Sequence, residues 1–185
     1  MTKRQFASLV ATVAALTALA GCAAHGQVAQ IAAAPAATAA ATPAADPTRT
    51  ATAAVLAAYT GMRQAQEQAE AAGTTQNVSL GSYATGKALV QISAAVGQNA
   101  AQDWVMVGLP VLDPKVTALD LAAAPPTATV TDCMNVSGWH LVDEFTGKDV
   151  TAPSAHASFV SVSQAQLGPD GWRITQTDVD RSRPC

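Results

Sequence analysis

The sequence predicts an α+β fold with an antiparallel sheet. Two observations carry this. Apolar residues recur at helical spacing through the first part of the domain and at strand-like spacing from Asp103 onward. The strand-like runs then follow one another with turn residues between them and no helical segment interposed, which favours antiparallel neighbours over crossovers. Of the 185 residues 49% are hydrophobic, but many are alanine and only 4% are aromatic, so the core is modest.

The domain starts at Asp46-Pro47, an N-cap aspartate followed by proline at the first helical position. Val55, Tyr59, Met62 and Ala69 then mark one face of a long helix. Gln64, Gln66, Glu67 and Glu70 are expected on its wet side, and Gly73 ends it. After the polar link 74–77, Val78 to Tyr83 reads as a helical turn. A second helix runs from Gly86 to about Gly97, with Leu89, Ile92 and Val96 on one face. The Tyr59/Met62 and Leu89/Ile92 stripes are expected to be core.

Strand signals follow at 104–112, 115–121, 127–133, 139–143 and 155–167. Ala122 to Pro126 and Thr146 to Asp149 break the pattern with turn chemistry. Gly168-Pro169-Asp170-Gly171 is a hairpin turn leading into Trp172-Arg173-Ile174-Thr175.

The residues before Asp46 carry a different message. Lys3 and Arg4 precede an uncharged run from Phe6 to Ala20, shorter than the ~20 apolar residues that a membrane span needs. That is the pattern of an export signal. The run ends in Leu19-Ala20-Gly21-Cys22, a lipobox in which the Cys22 thiol would accept a diacylglycerol. Residues 1–21 are therefore expected to be a lipoprotein signal peptide. Residues 22–45 follow as an Ala/Pro/Thr-rich flexible tether containing His25 and spanning ~25–30 Å as a coil. Residues 46–185 form the domain. A lipid anchor would hold that domain at the outer face of the cell membrane.

Cysteine usage agrees with export. Once Cys22 is lipidated, Cys133 and Cys185 remain, and an oxidising compartment favours pairing them. Such a bridge is worth ~4 kcal/mol in the chain-entropy account. Cleavage after Gly21 removes two of the ten basic residues and none of the 13 acidic ones. With no basic cluster left, nucleic acid is not an expected partner.

The stretch Gly81-Ser82-Tyr83-Ala84-Thr85-Gly86-Lys87-Ala88 imitates a phosphate-binding loop, but Ala88 stands where a magnesium-binding hydroxyl is required. No apolar strand precedes it, and Lys87 reads as a solvated residue on a helical first turn. Asp113, at the end of an apolar run, imitates a magnesium ligand, yet Pro110 and Pro114 beside it suit an edge and a turn. No nucleotide, cofactor or metal is expected. His140 and His156 are too far apart in sequence to form a ligand pair, and no Gly-x-Ser-x-Gly occurs. Asp143 and Glu144 adjoin each other and would point to opposite faces of a strand. One constellation could support acid–base chemistry: Asp132, His140 and Tyr83, if the fold brought them together.

As a set, several motifs resemble the exported, often lipid-anchored actinobacterial proteins that adopt a nuclear-transport-factor-2-like, or cystatin-like, fold. They are Tyr59-x-x-Met62, Leu80-x-x-Tyr83-Ala84-x-Gly86-x-Ala88-Leu89, Gly108-x-Pro110-x-x-Asp113-Pro114-x-Val116, Val130-x-Asp132-Cys133, Trp139, Gly171-Trp172-x-Ile174 and Cys185. The resemblance covers about residues 50–185. It implies N-terminal helices packed on a bent antiparallel sheet, a cone that serves either as a pocket or as plain core. It transfers no catalytic motif. The expected function is a lipid-anchored, extracytoplasmic module binding a protein or small-molecule ligand. The alternative is a small-molecule isomerase, dehydratase or hydrolase using the cone.

Overall fold

A computed structural model describes residues 46–153 and 156–185. The expected signal peptide, the lipidation site Cys22 and the tether lie outside the described residues.

The described chain is α+β. Helix α1 (Pro47–Ala71) begins where the cap was expected: the Asp46 carboxylate accepts from the Thr48 N–H at 2.9 Å, and Pro47 supplies the preset φ of the first turn. Gly73, at φ +62°, turns the chain away after the last helical residues. Val55, Tyr59, Met62 and Ala69 are fully buried. Helix α2 (Leu80–Tyr83) is a single turn, and α3 (Gly86–Ala100) buries Ala88, Ile92 and Val96. Gly86 also has positive φ, and its neighbour Thr85 donates its N–H to the Ile174 carbonyl at 2.8 Å. The imitation phosphate loop is thus a helix start stitched to a strand. Lys87 pairs with Asp178 at 3.5 Å, both side chains more than half exposed.

Six strands follow: β1 (Trp104–Gly108), β2 (Pro114–Asp120), β3 (Thr127–Asn135), β4 (Trp139–Asp143), β5 (Ser158–Gly168) and β6 (Gly171–Asp180). All named pairings are antiparallel. The order β2-β3-β5-β6 forms one sheet, and β1 pairs with β4 in a second. The apolar run expected to be one strand to residue 112 is divided at Gly108. There φ is +76°, and a Cβ would collide with the Gly138 carbonyl. The chain then crosses to the larger sheet. Val111 and Asn135 exchange both N–H···O bonds, at 2.8 and 2.9 Å, at the crossing.

Strand β3 alternates cleanly. Ala128, Val130, Asp132 and Met134 are buried, while the residues between them are half-exposed. Register shifts next to Thr117 in β2 and Thr175 in β6 mark bulges, which bend the strands that carry them. Helix α1 packs against β6, β2 and β3, and α3 packs against β6. The core between them holds Val55, Tyr59, Met62, Leu80, Ile92, Val130, Trp172 and Ile174.

One face of α1 departs from expectation. Glu70 is buried at 7% exposure, and Gln66 and Glu67 are half-buried instead of wet. The reason is the polar arrangement that α1 shares with the sheet. Cys133 and Cys185 form the expected disulfide, with Cα atoms 5.8 Å apart and 52 residues of separation. The carbonyl of Arg183 also accepts from the Val160 N–H at 3.0 Å, so the C-terminal residues are fastened to the sheet twice, covalently at β3 and by this bond at β5. Among the described residues, no helix is long and apolar enough to cross a membrane.

Candidate functional site

Residues 59, 63, 66 and 70 lie on one face of α1 because each step is three or four positions. That face looks onto β3, β5 and β6, where Asp132, Ser161 and Thr177 wait. The Tyr59 hydroxyl donates to Asp132 Oδ2 at 2.7 Å and accepts from Arg63 Nε at 2.9 Å. The Arg63 guanidinium donates onward to Ser161 Oγ at 2.8 Å, Thr177 Oγ1 at 3.4 Å and Gln66 Oε1 at 2.9 Å. Gln66 passes the chain on, donating from Nε2 to Glu70 Oε1 at 3.0 Å. The second oxygen of Asp132 accepts from the Asp113 N–H at 2.7 Å.

Arg63 is 3% exposed and Asp132 fully buried. Burying these charges is tolerable because each is hydrogen-bonded and they balance one another through a shared phenol. The guanidinium carbon also stands 5.1 Å from the centre of the Tyr59 ring. Burial pushes the Tyr59 phenol up to about 12, with the nearby Arg63 charge opposing it. Burial likewise raises the Glu70 carboxyl above its ordinary range, against the hydrogen bond from Gln66 and the charge of Arg63.

The chain of bonds ends at a cleft of about 860 Å³. Arg63, Gln66 and Glu70 of α1 and Asn99 of α3 contribute polar groups to its lining. Met106 of β1, Met134 of β3 and Leu141 of β4 contribute apolar ones, as do Trp139 and Val179. The outer lining includes His140, Asp149 and Arg181. His140 Nδ1 lies 3.1 Å from Asp149 Oδ2, with both side chains well exposed. The Arg181 guanidinium sits 4.9 Å from the centre of the Phe159 ring.

The three residues singled out from the sequence do not share one environment. Asp132 lies on the core face of β3 with both oxygens engaged by Tyr59 and Asp113. His140 is at the cleft, paired with Asp149. Tyr83 lies at neither place: its ring packs over Gly61 of α1, where a Cβ would come within 2.5 Å of it. The acid–base constellation that Asp132, His140 and Tyr83 could have formed is therefore not assembled, because α2 carries Tyr83 onto the back of α1 and not toward β3. Asp113, the imitation magnesium ligand, uses its backbone N–H on Asp132 and its carboxylate on Lys115 Nζ at 2.9 Å. Among the described residues, no group of three or more His, Cys, Asp or Glu side chains is placed to hold a metal ion.

Two residues central to the site, Arg63 and Glu70, were not singled out from the sequence. The signal was present. At ~100° per residue, Gln66 and Glu70 project into the same sector as Val55 and Tyr59, with Arg63 at its edge.

No protein-family model and no curated protein matches the chain. Among solved structures, the intermembrane space region of the chloroplast protein ARC6 is similar at 15% identity and a TM-score of 0.48. The match covers 74% of this chain and 98% of that one.

Proposed function

We propose that the protein is a lipid-anchored, extracytoplasmic binding module whose ligand occupies the cleft between α1, α3 and the β1–β4 pair. The cleft is the observation that carries the reading. Its volume of about 860 Å³ falls in the ~300–1,000 Å³ range of small-molecule sites. Met106, Met134 and Leu141 offer an apolar body, and Gln66, Glu70 and Asn99 offer a few polar groups to orient a guest.

The cellular address rests on the N-terminal pattern: Lys3-Arg4, the apolar run to Ala20 and the lipobox ending at Cys22. The Cys133–Cys185 bridge supports it, because such bonds persist in oxidising compartments.

Native mass spectrometry of the protein taken from its own membranes, with and without reductant, tests the proposal. The expected result is a diacylglycerol-sized addition at Cys22, a gain of two hydrogens on reduction, and a small molecule travelling with the domain. An N-terminus without lipid removes the anchor. A protein that arrives empty, and that binds nothing from a small-molecule panel, removes the cleft reading.

A further inference from the structure

Among the described residues, the cleft holds one carboxylate that no cationic side chain pairs with. Glu70 lines it at 7% exposure. Its Oε1 accepts from Gln66, and Oε2, which no donor among the described residues reaches, is not shut away from the solvent of the cleft. Arg63, the nearest cation on the helix, directs its bonds to Tyr59, Gln66, Ser161 and Thr177, and makes none to Glu70. Arg181, also at the cleft, lies over the Phe159 ring. Glu67, one turn earlier on α1, adds a second negative charge nearby and is not part of the lining. A buried carboxylate without a direct cation is costly, and burial accordingly holds the Glu70 carboxyl above its usual range.

The rest of the lining says what a guest must otherwise be. Met106, Met134 and Leu141 suit an apolar body, and methionines adapt to irregular shapes. Trp139 offers an aromatic surface of the kind that favours a cation. An anionic guest would place like charge against Glu70. A neutral hydroxyl could donate to Oε2 but would bring no countercharge. We infer that the cleft takes an amphipathic amine, with its ammonium donating to Glu70 Oε2 and its apolar body against Met106, Met134, Leu141 and Trp139. This rests on the cleft being the binding site proposed above.

Calorimetric titration of the full chain with octylamine, 1-octanol and octanoate tests it, because the three probes share a body and differ in the head. Octylamine should bind roughly tenfold more tightly than octanol, the usual margin of a charge-assisted over a neutral hydrogen bond, and octanoate should bind weakest. Glu70→Gln should erase the amine's advantage while leaving octanol within about twofold. Glu67→Gln, which removes the same charge outside the lining, should preserve it. Should Glu70→Gln fail to fold, Glu70→Met, which removes the charge at similar length, replaces it, with the same loss of preference expected.

Octanoate binding as tightly as octylamine overturns the inference. So does an amine preference that survives loss of Glu70, or that falls equally with Glu67. In those outcomes the cleft still binds, and only the ligand class is lost. If none of the probes binds and the native protein carries a small molecule without an amino group, the amine class is again wrong. If the native protein is also empty, the binding-module reading falls with it.

Discussion

The Tyr59 hydroxyl and the Asp132 carboxylate, 73 positions apart in sequence, meet at 2.7 Å in the interior. Helix α1 and strand β3 are joined there by a bond that water does not reach. Removing the hydroxyl strips Asp132 Oδ2 of its donor and Arg63 Nε of its acceptor. Tyr59→Phe should therefore lower stability by ~1–3 kcal/mol, read as a lower urea midpoint with an unchanged slope.

The same phenol makes stability depend on alkaline pH. Its folded value of about 12 lies above the ordinary 10.0, so the folded state favours the protonated form. The contribution is fully present below pH 10 and is lost as pH rises through the interval up to about 12. Wild type should lose ~2–3 kcal/mol across that interval. Tyr59→Phe should lose correspondingly less, as measured by urea titrations at each pH. Equal losses in both proteins would show that Tyr59 is not the group responsible.

Asp132 and Arg63 should behave as a coupled pair, although no direct bond joins them. Asp132→Asn leaves the buried guanidinium without its balancing charge, and Arg63→Met leaves the carboxylate without its own. Each single change should cost ~3–5 kcal/mol. The double variant should cost clearly less than the sum, by a kilocalorie or more (roughly 1–3 kcal/mol). Strict additivity in a thermodynamic cycle would mean that the two charges do not sense each other.

Glu70→Gln should have the opposite sign. The folded-state carboxyl is raised above its unfolded value, so its favourable contribution is present at acid pH and is lost as pH rises through the folded value. Once the pH has passed that folded value, the ligand-free protein holds a buried carboxylate that lacks a direct cation. Replacing it with an amide that still accepts from Gln66 should there raise stability by ~1 kcal/mol. The gain should vanish in acid. A variant less stable at every pH would contradict this account of the group.

Reduction of the Cys133–Cys185 bridge should cost ~2–4 kcal/mol, and the paired Cys133→Ser, Cys185→Ser variant should match it. Thermal melts with and without reductant give the comparison. A melting temperature indifferent to reductant would mean that the Val160–Arg183 backbone bond and local packing hold the C-terminal residues alone.

Much of the fold was legible from local chemistry. The Asp46 cap, the glycine at 73, the start at Gly86, the hairpin at 168–171 and strand β4 stand where residue types placed them, because each is fixed by neighbours in sequence. The division of the apolar run at Gly108 was not legible. It depends on the approach of Gly138, thirty positions away. Strand β6 extends to Asp180, past the expected Thr175, because β5 supplies a partner along its length; bonding across a sheet sustains polar residues that no apolar pattern would mark. The site was legible only in fragments. Asp132 and His140 drew notice as chemical types, and the disulfide followed from counting. Arg63 and Glu70 did not, because long polar side chains on a helix are normally solvated. Only the strand facing them shows that these are not.

The alternation of β3 ties two unlike devices to one alignment. Asp132 points inward to Tyr59, and the next residue, Cys133, belongs to the other face, where Cys185 reaches it. A slip of β3 by one position would exchange those faces, turning the carboxylate out and the thiol in. The hydrogen-bonded latch and the covalent one would fail together. Formation of the Cys133–Cys185 bond is then a readout of strand alignment: a molecule misaligned at β3 turns the Cys133 thiol away from Cys185.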